Sequence, residues 1–317
     1  MTNPKQSQPP ILLPAPAPKQ TLGWRRVIGR TALVMAVFLL LIWGWQIGQL
    51  LPKVKDYSDS TPIKIWPTKK TPPLFPTVEV QARSAVVYDL STNKILYAKN
   101  ANQILPLASL TKLMTVLVAT QTLKDQTIVK VKNEQGQTEI WRAEDLTDYV
   151  LVNSYNQGAR ALALASAGQD YQSFIKKMNQ EKNDLGLTKL HFYNPTGLDG
   201  YDQAGAYGSA LEVAKLHAFI YNHQPKLLEA TKKPFIIRNA VASSSQLIIN
   251  TNSAINKLPG LRSSKTGTTP LAGANLSIIL DVGLNQPVAI VILGSTEEAR
   301  FGDIKKLTQA TIKFLAQ

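Results

Sequence analysis

The chain has 317 residues, 44% of them apolar, enough for one substantial core, and this composition excludes wholesale disorder. It contains no cysteine and three scattered histidines, which excludes disulfides and thiolate chemistry and predicts no metal site. The net charge is +14, of which residues 1–78 carry +8, from ten basic and two acidic side chains. Charge concentrated around an apolar N-terminal segment favours a membrane surface over nucleic acid, for which no binding motif is present.

Residues 31–51 form a run of 21 residues without a formal charge. An α-helix of that length spans roughly 30 Å, the thickness of the hydrocarbon core of a bilayer. Basic residues and no acidic residue precede the run: Lys5, Lys19, Arg25, Arg26 and Arg30. The pattern predicts a single-pass transmembrane signal anchor that follows a cytoplasmic leader, residues 1–30. A cleaved signal peptide is the alternative, but the run offers no small-x-small cleavage site.

Residues 52–78 form a linker rich in proline and lysine. Its six prolines fix φ, and its lysines repel one another, so the segment is expected to be extended and semi-rigid. Fully extended, it would span roughly 80 Å at about 3.1 Å per residue. The folded part, residues 79–317, could therefore work well clear of the membrane.

The folded part begins with two apolar runs around a turn signal at Ser91–Asn93, which predict a β-hairpin. Ser109 follows at the position of an N-cap, before a helix that should be buried because its apolar residues recur at helical spacing. Helical stretches are then predicted around 142–167, 170–185 and 208–222. Two late β runs and a closing helix, residues 301–316, complete the pattern. Strands at both ends with helices between them predict an α+β domain whose sheet is built from the two chain ends.

Ser109 and Lys112 form a Ser-x-x-Lys pattern on the predicted buried helix, where side chains three residues apart are neighbours. A serine hydroxyl needs a base to become a good nucleophile. Lysine can be that base when burial or nearby positive charge depresses its pKa. The same pattern occurs at Ser91 and at Ser173, where a turn and a polar helix explain it as structure.

Two further motifs strengthen this reading. Ser154-Tyr-Asn156 lies 45 residues after Ser109, and Lys265-Thr-Gly267 lies 156 residues after it, at the predicted opening of a strand. A hydroxyl, a carboxamide and a second lysine would complete a site for acyl transfer. Gly267 fits a position where a substrate backbone approaches a strand edge. Each residue has a structural explanation alone, but their order and spacing together favour the site.

The three motifs resemble those of the penicillin-binding proteins and serine β-lactamases. The likeness is nearest to the D-alanyl-D-alanine carboxypeptidase family and covers roughly residues 80–317, including PLASLTKLMT, HFYNPTGLDG and SSKTGTT. It implies a β-lactamase/transpeptidase-like α+β fold: an antiparallel sheet flanked by helices, with a mostly helical inserted subdomain. The active site would lie in the cleft between the two parts.

The resemblance implies catalytic roles for three residues. Ser109 would form the acyl-enzyme, Lys112 would be its general base, and Ser154 would carry a proton to the leaving D-alanine. Backbone N–H groups of Ser109 and Thr268 would form the oxyanion hole, where one donor is typically worth about 3 kcal/mol. No metal or cofactor is expected.

The resemblance also implies substrate-binding roles. Asn156 would bind the peptide carbonyl or amide of the substrate, and Lys265 would support the proton path electrostatically. Thr266, Gly267 and Thr268 would line the docking strand. Arg300 resembles an arginine that holds the terminal carboxylate of the substrate, although a surface charge before a helix is an equal reading.

Two features depart from the pattern of the family. Tyr155 and Gln157 stand where Gly and Asp are more frequent. The short interval between Ser109 and Ser154 suggests a trimmed helical subdomain and a more open cleft.

The function implied is a serine DD-carboxypeptidase that removes the terminal D-alanine from peptidoglycan stem peptides. β-Lactams would be its covalent inhibitors. The protein would sit in a bacterial cytoplasmic membrane, with its N-terminus inside and the catalytic domain on the outer face. The alternatives are a DD-endopeptidase of the same family and a non-catalytic penicillin-binding sensor or wall-binding domain. A β-lactamase is disfavoured because Glu181, the candidate for its water-positioning glutamate, falls in a helix that resembles the carboxypeptidases.

Overall fold

The computed structural model describes residues 74–241, 245–281, 283 and 285–317, together with 39–44 and 46 near the N-terminus. The leader 1–30, most of the predicted anchor 31–51 and most of the linker 52–78 lie outside these residues, so those assignments stay predictions. Residues 39–44 and 46 are helical. Within the described part of the chain, no helix has both the length and the apolar character needed to cross a membrane.

The folded part consists of short strands and medium-length helices. The strands are β1 (Ser84–Asp89), β2 (Lys94–Lys99), β3 (Leu105–Pro106), β4 (Ile128–Lys132), β5 (Thr138–Arg142), β6 (His191–Phe192), β7 (Ala206–Gly208), β8 (Phe235–Asn239), β9 (Ser245–Ile249), β10 (Leu261–Thr269), β11 (Gly273–Asp281) and β12 (Pro287–Ser295). The helices of this part are α1 (Lys112–Thr120), α2 (Ala143–Val152), α3 (Asn156–Ser166), α4 (Tyr171–Asp184), α5 (Ala210–His223) and α6 (Ala299–Leu315).

The two ends of the folded part build the main sheet. Its five strands run in the order β10-β11-β12-β1-β2, and every neighbouring pair is antiparallel. The join between the two ends is the β1–β12 pair, in register from Ser84 opposite Leu293 to Asp89 opposite Val288. The predicted α+β class and the antiparallel sheet of this fold are therefore confirmed.

The central strands of the sheet are buried on both faces, because successive side chains point to opposite sides and both sets are apolar. Val86 and Val291 face the larger core, which they share with helices α1 to α5. Val87 and Ile290 face a second core, where Ile304 of α6 packs against them. The sheet is thus a middle layer that holds its strands, and the site residues on them, in fixed positions.

Helix α1 lies at the centre of the larger core. Every residue from Lys112 to Ala119 is buried, which is typical of a helix surrounded by protein on all sides. The inserted part that surrounds it contains α2, α3 and α4, as expected from the sequence. It also contains the hairpins β4–β5 and β8–β9, which were not among the expectations.

The helical stretch expected around 142–167 is divided into α2 and α3. Asn153 ends α2, and Ser154 adopts a left-handed conformation with φ of 68°, which a continuous helix cannot contain. The other expected helices are present. Asp170 caps α4 by accepting hydrogen bonds from the N–H groups of Gln172 and Ser173. The break in the helix is what brings the second motif to the surface of the cleft.

Candidate active site

Ser109 lies in a short 3-10 helix, Ala108–Thr111, that runs directly into α1. The sequence placed Ser109 at an N-cap, which is wrong, because it lies inside the 3-10 helix and no side chain caps either helix. Ala108 has φ of 48°, a conformation that an alanine adopts only where the surroundings impose it. The serine side chain is buried except for 8% of its surface, so its hydroxyl is held in place but can still be reached.

Gly267 explains part of this geometry. A Cβ atom at this position would lie 2.9 Å from the backbone N of Ser109 and 3.1 Å from the carbonyl O of Leu107. The sequence suggested that a substrate required this glycine. In the structure, the backbone of the nucleophile already occupies the space, so β10 can pack against Ser109 only where the side chain is absent.

Lys112 is fully buried, and its Nζ atom has three oxygen neighbours. It lies 2.8 Å from Oγ of Ser109, 2.7 Å from Oδ1 of Asn156 and 2.9 Å from the carbonyl O of Thr196. Burial lowers the pKa of Lys112 well below its usual value, and the positive charges of Lys265 and Arg160 lower it further. A neutral amine has two N–H donors and one lone pair. Since the two carbonyl oxygens can accept both donors, the lone pair can face the hydroxyl of Ser109.

Ser154 and Lys265 form a second pair of a hydroxyl and an amine. Nζ of Lys265 donates to Oγ of Ser154 at 3.0 Å and to the carbonyl O of Thr266 at 2.9 Å. Burial, followed by the positive charge of Arg300, lowers the pKa of Lys265 to about 7. A lysine with this pKa exchanges protons readily at neutral pH, so the pair can pass a proton.

Asn156 is the first residue of α3, and its side chain contacts Lys112. Its side-chain oxygen accepts a hydrogen bond from Lys112, so that oxygen holds the base in place. Within the described part of the chain, the amide Nδ2 of Asn156 has no hydrogen-bond partner. A donor N–H group is therefore left for the carbonyl of a ligand.

Lys265 lies in the middle of β10, not at its opening as the sequence indicated, because the strand already begins at Leu261. β10 is an edge strand of the main sheet, and unpaired edges of this kind can accept an extended peptide. Thr266 is fixed by a hydrogen bond of 2.5 Å between its Oγ1 and that of Thr251. The side chain of Thr268 is exposed beside this edge.

Arg300 is buried except for 8% of its surface, which excludes the reading of a simple surface charge. Its Nη1 atom donates to Oγ1 of Thr268 at 2.7 Å, and its guanidinium stacks over Phe301 at 4.6 Å from the ring centroid. Its Nε atom is buried without a hydrogen-bond partner. Burial lowers the pKa of Arg300, although it remains the strongest base in the site. The arrangement aims a cation at the edge of β10.

The loop Asn194–Leu198 belongs to the site, and the sequence analysis gave it no role. Its Thr196 carbonyl accepts from Lys112, and Oδ1 of Asn194 orders the loop by accepting from the N–H groups of Thr196 and Gly197. Gly197 has φ of 78°, and a Cβ atom there would lie 1.8 Å from the carbonyl O of Ala108. The Asn-Pro-x-Gly turn signal could have indicated a rigid loop, but only the fold shows which lysine it contacts.

The histidines form no hydrogen bond with the candidate site residues described above. His217 is fully buried on α5, between Oγ of Ser277 at 2.7 Å and Oγ of Ser263 at 2.6 Å. Among the described residues, no three His, Asp or Glu side chains gather as metal ligands would.

Comparison with known proteins identifies the family. The sequence model of the D-alanyl-D-alanine carboxypeptidase peptidases matches residues 68–297. The D-alanyl-D-alanine carboxypeptidase DacF of Bacillus subtilis is 29% identical over 250 residues, which cover 72% of this chain and 61% of that protein. A D-alanyl-D-alanine endopeptidase of Haemophilus influenzae is 30% identical over 234 residues, which cover 69% of this chain and 77% of that protein. This chain therefore spans less than two thirds of the length of DacF.

Solved structures show the same fold. Penicillin-binding protein D2 from Listeria monocytogenes, in its cefotaxime-bound form, superposes with a TM-score of 0.66 and 26% identity. The superposition covers 74% of this chain and 98% of that protein. The family match extends over more than half of the chain and includes every predicted site residue except Arg300. This chain belongs to the D-alanyl-D-alanine carboxypeptidase family.

Proposed function

We propose that this protein is a serine DD-carboxypeptidase that removes the terminal D-alanine from peptidoglycan stem peptides. The observation that carries the proposal is the position of Lys112. Its amine is fully buried and lies 2.8 Å from the hydroxyl of Ser109. Its two other neighbours are carbonyl oxygens, those of the Asn156 side chain and the Thr196 backbone. A base of lowered pKa in contact with a serine is the requirement for acyl transfer without a cofactor.

Acylation starts at the carbonyl carbon of the penultimate D-alanine. The neutral amine of Lys112 takes the proton of the Ser109 hydroxyl as Oγ bonds to that carbon. The carbonyl oxygen becomes an oxyanion, which the backbone N–H groups of Ser109 and Thr268 would stabilise. Asn156 would donate its free amide N–H to a carbonyl of the peptide. Each group acts on the charge that develops in the transition state.

Collapse of the tetrahedral intermediate breaks the bond to the terminal D-alanine. The leaving nitrogen needs one proton, which the hydroxyl of Ser154 donates while Lys265 replaces it. The distance of 3.0 Å between Lys265 and Ser154 supports this step.

Before hydrolysis, Lys112 releases the proton it took from Ser109 and Lys265 regains one, both by exchange with solvent. A water molecule then attacks the ester carbonyl and gives one proton to the neutral amine of Lys112. The bond to Oγ breaks, Lys112 returns that proton to Oγ of Ser109, and the peptide leaves as a carboxylate. The products are free D-alanine and a shortened peptide.

Arg300 supports an exopeptidase. Its guanidinium is held against Thr268 at the edge of β10, and a terminal carboxylate there would gain charge-assisted hydrogen bonds. Thr266 and Gly267 would line the same edge, where the peptide backbone docks.

The test is mass spectrometry of an acylated Lys-D-Ala-D-Ala tripeptide incubated with the protein. We expect loss of one alanine, and no loss with Ser109→Ala. Ser173→Ala is the matched control, because Ser173 and Lys176 repeat the Ser-x-x-Lys spacing on α4, away from the other motifs. Penicillin should label the native protein and Ser173→Ala covalently. Equal labelling of Ser109→Ala would overturn the assignment of the nucleophile.

A DD-endopeptidase is the second candidate, because relatives such as that of Haemophilus influenzae have this activity in their names. It would use the same catalytic residues on a peptide bond inside a cross-bridge. Cross-linked dimeric muropeptides distinguish the two activities. Their cleavage to monomers without release of alanine would favour the endopeptidase, and release of alanine without monomers would favour the carboxypeptidase.

A sensor or wall-binding domain would be acylated by penicillin and would release no alanine. A β-lactamase would instead hydrolyse penicillin in many turnovers. Glu181, the candidate for positioning the hydrolytic water, lies on α4, and its carboxylate accepts a hydrogen bond of 2.7 Å from Gln121 at the protein surface. The turnover of penicillin and of the tripeptide, measured on one preparation, separates these functions.

The location proposed is the outer face of a bacterial cytoplasmic membrane. The support is the uncharged run 31–51, with basic residues before it and a segment rich in proline and lysine after it. The protein would then reach peptidoglycan, its substrate, while a single N-terminal segment anchors it.

A further inference from the structure

A cavity lies between the β4–β5 hairpin and α3, the helix that begins at Asn156. It is an open groove of about 670 Å³, a volume within the range of small-molecule and peptide sites. One wall is β4 from Ile128 to Lys132, and the other is the face of α3 that carries Gln157, Arg160 and Leu164. These α3 residues are three and four positions apart, so they share one side of the helix.

Positive charge surrounds the groove. Lys130, Lys132 and Arg160 line it, all three are exposed, and none has a carboxylate within 4 Å in the part of the chain that the structure describes. Two acids lie nearby, and both already accept hydrogen bonds. Glu134 accepts one of 3.0 Å from Gln157. Glu139 accepts from Asn133 at 3.1 Å and from Trp141 at 2.9 Å. Three cations with apolar side chains between them suit a ligand that has both carboxylates and aliphatic carbon.

The groove is connected to the catalytic residues through α3. Asn156 contacts Lys112, and the next residue, Gln157, already lines the groove. Arg160 is near enough for its positive charge to help lower the pKa of Lys112, after burial and Lys265. A peptide with its terminal residues at Ser109 therefore has the groove close to the path of its preceding residues.

We propose that this groove binds the upstream part of the stem peptide through a carboxylate, with Lys130 and Arg160 as its cationic partners. This inference rests on the proposed function, because it assigns the groove to the substrate of the same site. The ligand chemistry is a carboxylate on a short aliphatic peptide. The apolar wall formed by Ile128 and Leu164 favours such a peptide over a simple polyanion.

The experiment uses two pentapeptides that differ in one functional group. One is L-Ala-γ-D-Glu-L-Lys-D-Ala-D-Ala, and the other has the free α-carboxylate of its glutamate replaced by a carboxamide. Both keep the terminal carboxylate, so any contact with Arg300 is the same for the two. Each peptide competes with a fluorescent penicillin for labelling of the full chain, and release of D-alanine is recorded in parallel.

We expect the carboxylate peptide to compete roughly three- to tenfold better than the carboxamide, as for one or two exposed ion pairs. The double variant Lys130→Gln/Arg160→Gln should reduce this ratio to about one. Lys305→Gln removes one exposed charge from α6, on the opposite face of the sheet, and should leave the ratio as it is in the native protein. High salt should reduce the ratio as well.

If the carboxylate and carboxamide peptides competed equally well for the native protein, the inference would be overturned, even if both peptides released D-alanine. Competition at the expected ratio without release would keep the groove assignment and contradict the carboxypeptidase. A glycerol-phosphate polymer is tested as a third competitor of penicillin labelling. If it alone protected the protein from labelling, and protection were lost in the double variant, the groove would belong to another wall polymer and the inference would be wrong.

Discussion

At the scale of single residues, two buried lysines each contact a serine hydroxyl: Lys112 contacts Ser109, and Lys265 contacts Ser154. Burial lowers the pKa of both Lys112 and Lys265, and the positive charge of a nearby cation lowers each pKa further. Burial disfavours the charged form of an amine, and a neighbouring positive charge disfavours it again. The result is a pair of amines of lowered pKa, each in contact with a hydroxyl group.

The acylation rate of the native protein should rise with pH through the pKa of Lys112, because only the neutral amine accepts a proton. Lys265→Met removes a positive charge that lowers this pKa, so the rising limb should move to higher pH. Arg160→Gln should move it the same way by less. The rate of penicillin labelling between about pH 5 and pH 10 measures the shift.

Lys305→Met is the control, since it removes an exposed lysine from α6 and should leave the limb in place. A limb that stays in place or moves to lower pH in Lys265→Met would contradict the role of Lys112 as the base.

Folding lowers the pKa of His217, so the folded protein keeps this side chain neutral. It is fully buried between Ser263 and Ser277, and burial lowers its pKa from 6.5 to about 3. Below pH 6.5 the unfolded chain binds a proton that the folded chain does not. Stability should therefore be lost as the pH falls from about 6.5 toward 3, by up to about 1.4 kcal/mol per pH unit.

Urea denaturation of the native protein and of His217→Gln, at pH 7 and pH 4.5, tests this. The native protein should lose more free energy of unfolding over this interval than the variant, whatever the stability of the variant at pH 7. His223→Gln, which changes an exposed histidine on the same helix, should behave as the native protein. Equal losses in His217→Gln and the native protein would contradict the assignment.

At the scale of elements, the site depends on segments that leave regular structure. Ser154 separates α2 from α3 with a left-handed φ, and the Asn194–Leu198 loop packs against the 3-10 helix of Ser109, with Gly197 next to the carbonyl of Ala108. Both segments turn a polar group toward a buried lysine. Such conformations persist only when the surrounding structure imposes them.

Gly197→Ala tests the contact between the loop and the 3-10 helix. Its Cβ would lie 1.8 Å from the carbonyl O of Ala108, so the loop must move away from Lys112. Gly186→Ala is the matched control, because Gly186 has a similar φ of 69° with nothing within 4 Å. We expect about 1 kcal/mol of destabilisation for Gly186→Ala, and more for Gly197→Ala.

Penicillin labelling distinguishes the two variants further. Gly197→Ala should be acylated at least tenfold more slowly, because the Thr196 carbonyl no longer orients Lys112. Gly186→Ala should be acylated at the native rate. Similar rates for the two variants would show that the loop does not position the base.

At the scale of the whole molecule, the candidate site residues all lie between Ser109 and Arg300, and the main sheet joins the two ends of the folded part. Every residue of the described site belongs to the compact unit that starts at Thr71. A chain beginning at Thr71, where the compact unit starts, should therefore keep the penicillin acylation rate of the full chain. Only the full chain should sediment with membranes, and release of the full chain by salt alone would contradict the anchor.

The sequence predicted most of the site because its motifs are local and carry chemistry. Ser109 and Lys112 are one helical turn apart, so their contact follows from spacing alone. Other elements escaped prediction. β4–β5 and β8–β9 are short hairpins on the inserted part, and the division at Ser154 depends on a left-handed residue that nothing in the local pattern demands.

By itself, the sequence determined the α+β class, the three motifs and the resemblance to a family. Only the tertiary structure decided how these parts act on one another. Asn156 and Thr196 accept hydrogen bonds from Lys112, which leaves its lone pair free to face Ser109. Gly267 has no side chain where the backbone of Ser109 lies, and Arg300 is buried beside Thr268. The physical reason is that burial and long-range contacts set proton affinity and orientation, and both depend on residues far apart in the chain.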